Sequence, residues 1–544
     1  MNPSFPPAAL RVLHRTWMCM RLSTLLSMPL AAVLWWCGAA QAAQAAPKFP
    51  STNVAWLAAA ADADVERAFT QAKAQNKPLL LYWGATWCPP CNQLKATLFN
   101  RQDFAALSKS FVAVHVDGDR PSAQKLGTRF KVSGYPTMVL FNPQGQELTR
   151  LPGEVDAPQV MAVLQSALAG GRPIKAVLDD ALAGKTLPAN DWRMLAFYGW
   201  ETSEEQLVPK ADVPATLVRL AVSSPAADVE STTRLWLKAL AASDDGKGVK
   251  ADDVLRERVM KVLTDPAQSR THMDVVTSGA DDIVRTLEPQ GSAGRPALMA
   301  AFGTALQRLE ADTTLSRNDR MGALYARVLL ARLDGPKDAV QVKLPDALVQ
   351  DVREHVAKAD REITDGYERM AVITFGGALL ARAGLWDESE TLLKANLAKT
   401  LTPYYLMSQL GSNARKLGQK EQALDWYAKA WDLSDGPATR VQWGTSYFTA
   451  LVDLAPQDAA RIEKTAAKLL KEATRDPGAF QGRSVRGLKR VSDKLLAWNK
   501  DGQHAAVMRR LQVQMNAVCP KVDAADGQRA TCSGLLKPAA KAAA

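Results

Sequence analysis

The sequence predicts a multidomain chain in which an α/β domain is followed by an all-α helical-repeat solenoid. Three observations carry this. Strand-like and helix-like segments alternate as far as Gly170-Gly171-Arg172-Pro173, the apolar spacing from Pro173 to Val518 is helical throughout, and inside that stretch glycines and a proline recur 34 residues apart. The 544 residues, 47% hydrophobic and 23% charged, can build several cores, and they exclude collagen, coiled coil and wholesale disorder. Of six cysteines only Cys88 and Cys91 are close together, which excludes a small disulfide-stapled scaffold.

Residues 1–42 are expected to be a cleaved signal peptide. Arg11, His14, Arg15 and Arg21 precede an uncharged apolar run from Leu22 to Ala40, and Ala40-Gln41-Ala42 has small residues at the cleavage spacing. Pro29 interrupts the run, which is barely long enough to span a membrane, so no stable membrane insertion is expected after cleavage. Cleavage removes three arginines and no acid, and the formal charge falls from +11 to +8. Acids and bases alternate along the helical regions, which reads as a solvated surface and argues against nucleic-acid binding. Cys19 and Cys37 also leave, so Cys88, Cys91, Cys519 and Cys532 remain in an exported, periplasmic chain where disulfides persist.

The α/β domain, residues 43–170, reads in order. A helix from about Asp64 to Gln75 turns at Asn76-Lys77-Pro78 into the buried strand Leu79 to Trp83. A helix from Cys91 to Phe99, a strand from Phe111 to Val116 and a helix from Ser122 to Phe130 follow. The strand Thr137 to Phe141 then turns through Asn142-Pro143-Gln144-Gly145 into a hairpin partner, Gln146 to Arg150. A helix from about Ala157 to Ala169 completes a β-α-β-α-β-β-α order around one mixed sheet.

Cys88-Pro89-Pro90-Cys91 lies at the end of the first central strand and on the first turn of the next helix. There, unpaired backbone N–H groups and the positive end of the helix dipole stabilise a thiolate at Cys88 and make it a nucleophile near neutral pH. The two-residue spacing lets Cys91 reach back and resolve a mixed disulfide. Pro90 removes a donor that a helix start does not use. The competing readings of the pair are a zinc half-site and a purely structural bridge, but no second close cysteine or histidine pair accompanies it, and no metal is expected.

With these residues in place, 60–170 resembles a thioredoxin-fold domain. Trp87 before Cys88-Pro89-Pro90-Cys91 resembles the family's redox motif with its preceding tryptophan. Val132-Ser133-Gly134-Tyr135-Pro136-Thr137 resembles the loop that holds the family's cis-proline, and Phe141 to Gly145 and Gly153 fall at the matching places. The resemblance implies that Pro136, in cis, and Tyr135 shape a substrate groove and that Trp87 packs beside the redox disulfide Cys88-Cys91. Pro89-Pro90 differs from the Gly-Pro pair of cytosolic thioredoxins, and the sequence departs from the family in three further places. Tyr82 stands six residues before Cys88 where many relatives have a buried acid, Asn92 follows the motif where a lysine is common, and Ala96 replaces a helix-kinking proline. The direction of electron flow stays open, since the dipeptide between the cysteines influences the potential. His115 reads as a structural histidine in an apolar strand, and Asp117-Gly118-Asp119 as a turn after it.

Beyond the domain, residues 171–360 are expected to be helical without a detectable repeat. Leu298, Phe302, Ala305, Leu306 and Leu309 make one apolar helix face, with breaks at Ser224-Pro225, Asp244-Asp245-Gly246, Pro266, Pro289 to Pro296 and Gly335-Pro336. Residues 361–518 carry the recurrence: Gly377, Gly384 and Pro403 are followed 34 residues later by Gly411, Gly418 and Pro437. With Ala423, Tyr427 and Ala430 this resembles a tetratricopeptide repeat, while Ser389 and Asn396 replace two alanines in the upstream copy. Such arrays present concave protein-binding surfaces. Trp426, Tyr427, Trp431, Trp443 and Tyr447 read mainly as inter-helix core, with recognition as the alternative.

In residues 519–544, Cys519 and Cys532 flank a polar loop. A structural disulfide there contributes about 3 kcal/mol. The alternative is a second redox pair. The tail from Lys537 is expected to be disordered. Together these features describe a periplasmic thiol-disulfide oxidoreductase that reduces or isomerises disulfides of exported client proteins and needs no cofactor. A membrane thiol reductant is the electron donor that the resemblance suggests. Two other functions fit the same residues: a disulfide oxidase, and a scaffold or chaperone that uses the thioredoxin fold for docking.

Overall fold

Leu79 to Trp83 is apolar at every position, a pattern that suits a strand covered on both faces. In the computed structural model it forms the central strand β2 (Leu79–Gly84), with all six residues buried. The structure describes residues 54–152, 156–200, 206–243, 248–336 and 338–537. The signal peptide with Cys19 and Cys37, Gly153, the break at Asp244-Asp245-Gly246 and the tail after Lys537 lie outside the described residues.

The sheet also contains β1 (Leu57–Ala59), β3 (Val112–Asp117), β4 (Thr137–Phe141) and β5 (Glu147–Pro152), in the order β1-β3-β2-β4-β5. β3 is parallel to both β1 and β2, and β4 is antiparallel to both β2 and β5. β1 has no counterpart in the sequence reading. It is three residues long, with only Ala59 buried, too little to show alternation. The helices are α1 (Asp62–Ala74), α2 (Pro89–Thr97), α3 (Gln102–Leu107), α4 (Ala123–Arg129) and α5 (Ala157–Leu168). Only α3 is unanticipated: its apolar positions, Phe104, Ala105 and Leu107, span a single turn.

Alternate side chains of β2 supply two cores. Leu79, Leu81 and Trp83 join Val65, Ala68 and Ala72 of α1 and Ala123 and Leu126 of α4. Leu80 and Tyr82 face Leu94 of α2, Phe104 of α3 and Val160 and Leu164 of α5. Each such aliphatic side chain contributes about 1.5–3 kcal/mol by leaving water. The second core does not stop at Gly170-Gly171: Ile174, Val177 and Leu178 of the next helix belong to it. Buried Arg150 on β5 adds a polar tie. It donates to Glu147 and to the carbonyls of Phe130 and Lys131, while the Tyr198 hydroxyl donates to Glu147 and Gly199 N–H to Arg150 O.

After α5 the described residues contain no strand and twenty α-helices, α6 (Ile174–Leu182) to α25 (Gln528–Gly534). Leu298, Phe302, Ala305, Leu306 and Leu309 are all buried, as their spacing predicts. The 34-residue recurrence appears as successive helices: α17 (Gly366–Arg382), α18 (Trp386–Asn396), α19 (Pro403–Lys416), α20 (Lys420–Leu433) and α21 (Pro437–Leu454). The starts of α18 and α20, and of α19 and α21, lie 34 residues apart. Gly377 lets α17 close on Leu393, and Gly411 lets α19 close on the Tyr427 ring, the same sixteen-residue offset in both copies. The polar replacements upstream are satisfied. Ser389 donates to Gly377 O and accepts from Asn413 Nδ2, and Asn396 accepts from Arg369 and donates to Leu392 O. Buried polar groups at both positions thus have partners.

Candidate redox site

The break in chain direction between β2 and α2 positions the cysteines. Pro89 and Pro90 occupy the first two helical positions, where a missing N–H costs nothing, so α2 starts two residues earlier than the expected Cys91. Cys88 is therefore the N-cap, in extended backbone geometry, and its Sγ accepts from Cys91 N–H at 3.2 Å. Cys88 and Cys91 are joined as a disulfide, with their Cα atoms 5.2 Å apart. Tyr135-Pro136 is a cis peptide, and the Tyr135 ring lies 6.4 Å from Trp87. Trp87, Cys88, Cys91, Tyr135 and Pro136 thus meet at one end of the sheet.

Asp119 joins them, a residue the sequence reading assigns to a turn. Its Oδ2 accepts the Trp87 indole N–H at 2.6 Å. Burial pushes the Asp119 carboxyl up to about 6, against the pull of the Arg483 guanidinium. No local pattern signals a tryptophan–carboxylate contact across 32 positions.

Behind the cysteines, Tyr82 is fully buried and burial raises its hydroxyl pKa; it stacks on His115, with ring centroids 5.1 Å apart. His115 is pulled down to about 3 by burial and is neutral, in keeping with a structural role. Lys95, absent from the sequence reading, is buried on α2 and pulled down to about 8 by desolvation. Its Nζ donates to Asn92 Oδ1 and lies 5.0 Å from the Tyr367 ring centroid. Burial also raises the Asp117 carboxyl. Among the described residues no group of three or more His, Cys, Asp or Glu is placed to hold a metal, and no helix is long and apolar enough to cross a membrane.

The helical region covers this site. Cys88 is 1% exposed, Cys91 0% and Trp87 8%. Tyr405 of α19 stacks on Trp87 at 6.0 Å and 17°, and Trp443 of α21 meets it edge-on at 6.4 Å. Arg483, on α23 (Gly482–Trp498), places its guanidinium 4.6 Å from the Trp87 centroid, 5.0 Å from that of Tyr135 and 3.7 Å from Asp119 Oδ1. Arg486 donates to Ser133 O, in the loop before Pro136, at 2.9 Å. Four of the five aromatic residues noted in the sequence, Tyr427, Trp431, Trp443 and Tyr447, are buried, and Trp443 also faces the redox pair. A cavity of about 760 Å³ adjoins Pro89 and Pro90 and is walled by Tyr325, Phe375, Tyr405 and Trp443. Cys519 and Cys532 form a second, buried disulfide.

The family described as a thioredoxin-like domain matches residues 65–168. The thioredoxin-like protein slr0233 of Synechocystis is 35% identical over 89 residues, which are 16% of this chain and 80% of that protein. The chain belongs to the thioredoxin-like family. Its thioredoxin-like domain is also similar to two larger proteins. One is thiol:disulfide interchange protein DsbD 2 of Pseudomonas aeruginosa, 30% identical over 120 residues that cover 21% of this chain and 20% of that one. The other is thiol:disulfide interchange protein DsbD of Klebsiella pneumoniae, 32% identical over 117 residues that cover 21% and 19%. The chain spans about a fifth of the length of these two relatives. The α/β domain of the thioredoxin-like chain is followed by a helical region that lies outside the residues matched by the family.

Proposed function

We propose that the protein is a periplasmic thiol-disulfide oxidoreductase that reduces or isomerises disulfides of exported proteins, and that its helical region binds clients or a redox partner. The observation that carries this reading is Cys88 as N-cap of α2, bonded to Cys91. At that position the helix N-terminus favours the thiolate over the thiol. The names of the interchange proteins similar to this domain support the same chemistry. The apolar run from Leu22 to Ala40 and the two disulfides support export.

In the reducing direction the Cys88 thiolate attacks one sulfur of a client disulfide. The client S–S bond breaks, its other sulfur leaves as a thiolate and takes a proton, and a mixed disulfide forms. Cys91, deprotonated, attacks Cys88 Sγ, closes the Cys88-Cys91 bond and releases the second client thiol. Two electrons and two protons pass to the client. A dithiol donor, in our reading a membrane thiol reductant, returns the pair to its reduced form. Trp87, Tyr135 and Pro136 line the face that receives the client, and Cys519-Cys532 serves as a structural clip.

Disulfide reduction of insulin with a dithiol donor tests the assignment. Cys88→Ser abolishes turnover, and Cys91→Ser accumulates mixed disulfides. Undiminished reduction by Cys88→Ser overturns the reading. Acid quenching of cells followed by thiol alkylation tests the direction: a mostly reduced pair supports a reductase or isomerase, and a mostly oxidised pair an oxidase or a reductase lacking its donor under those conditions.

A further inference from the structure

The face that a client disulfide must reach is already occupied. Disulfide exchange needs a sulfur to approach Cys88 Sγ, and Cys88 is 1% exposed. The occupants are side chains of the helical region: Tyr405 and Trp443 against Trp87, and Arg483 across both Trp87 and Tyr135. The clasp reaches the cis-proline loop through Arg486 and Ser133 O, and α4 through Gly482 N–H to Thr128 Oγ1 and Arg483 N–H to Gln124 Oε1. At Gly436, with φ +84°, the backbone comes so near Asp119 that a Cβ would lie 2.9 Å from the Asp119 Cβ.

This contact is incompletely paired. Trp443 Nε1 and Arg483 Nε are buried without a hydrogen-bond partner among the described residues, and Arg483 Nη2 meets Asp119 Oδ1 only as an ion pair at 3.7 Å. Each such atom loses hydration when the seam is closed. Opening the seam returns them to water and offsets part of the apolar contact that is lost. The cavity beside Pro89 and Pro90 leaves the cysteine helix without dense packing on that side.

We infer that α21 and α23 form an intramolecular cover of the redox site: a disulfide client reaches Cys88 only after Trp443 and Arg483 leave the Trp87–Tyr135 face, and client and cover compete for it. This rests on the oxidoreductase reading for the client, but not for the cover itself.

The test uses the full chain reduced with a phosphine. Iodoacetamide is added, and modification of the Cys88 peptide is followed by mass spectrometry in the wild type, Arg483→Ala and Arg483→Lys. The cover predicts slow modification in the wild type and at least about tenfold faster modification in Arg483→Ala, because the rate follows the open fraction. It also predicts that wild-type modification accelerates in urea below the unfolding transition, as a local opening does. If Arg483→Ala does not fold by circular dichroism, Arg483→Lys and the urea series decide. Equal rates in all forms, with no urea acceleration, overturn the cover. Faster modification in the variants without disulfide turnover in any form leaves the cover standing and overturns the oxidoreductase reading.

Discussion

The Trp87 indole N–H donates a 2.6 Å hydrogen bond to Asp119 Oδ2, and the same carboxylate faces Arg483 from α23 at 3.7 Å. One buried acid therefore connects the residue before Cys88 with the helical region that covers it. Asp117, at the end of the preceding strand β3, opposes its ionisation.

This carboxyl gives a pH dependence of known sign. Its folded value of about 6 lies above the ordinary 3.8, so between those values the folded chain holds a proton that the unfolded chain releases. Stability then falls as pH rises from about 4 to about 6 and levels off above, by at most about 3 kcal/mol. Asp119→Asn removes that fall. Urea midpoints for both proteins across the window check it; parallel curves would refute the assignment.

Two helix glycines make a steric prediction. Gly411→Val places side-chain atoms inside the 3.1 Å already separating an added Cβ from the Tyr427 ring, and overpacking costs about 1–3 kcal/mol. Gly303→Ala, on α14 (Arg295–Ala311) with nothing within 4 Å of the new Cβ, stabilises by up to about 1 kcal/mol. Denaturant unfolding separates the two. A stabilised Gly411→Val would show that α19 and α20 do not pack this closely.

The second disulfide joins residues 13 apart. As a structural clip it stabilises the chain by about 3 kcal/mol through loop closure. The double variant Cys519→Ser/Cys532→Ser loses that stability and keeps disulfide turnover at temperatures where it remains folded. Loss of turnover in the folded variant would make the pair a redox centre.

Within the helical region, Arg234 on α9 (Val229–Ala242) is fully buried and holds Asp274 on α12 (Met273–Ser278) through two hydrogen bonds. Arg234→Met leaves a buried carboxylate without its guanidinium and costs about 3–5 kcal/mol. Arg234→Met/Asp274→Leu removes the orphaned charge and recovers most of that loss. Calorimetric melting of the two variants measures both terms; equal stability of the single and double variants would refute the account.

Much of the fold is legible because local chemistry and burial agree. The fully apolar Leu79 to Trp83 is a central strand, Asn142-Pro143-Gln144-Gly145 turns a hairpin, and the two prolines between the cysteines begin a helix. β1 and α3 are missed because three residues and a single turn hold too few apolar positions to establish a period. The helix of the motif begins at Pro89 rather than Cys91 because proline is suited to the first turn, a position rule that outweighs apolar spacing.

What the sequence by itself determined is the set of local devices: the Cys88-Pro89-Pro90-Cys91 turn, the alternation of strands and helices that carries it, and the 34-residue spacing of helix starts. Each depends on residues within a few turns of one another, where covalent geometry and side-chain period leave few alternatives. Only the tertiary structure decided that Trp87 meets Asp119, that Lys95 lies buried behind the cysteines, and that Trp443 and Arg483 close over them. Arg483 comes from nearly 400 residues downstream of the motif. Its partners are chosen by how the whole helical region packs on the sheet, a choice that no periodicity in its own neighbourhood records.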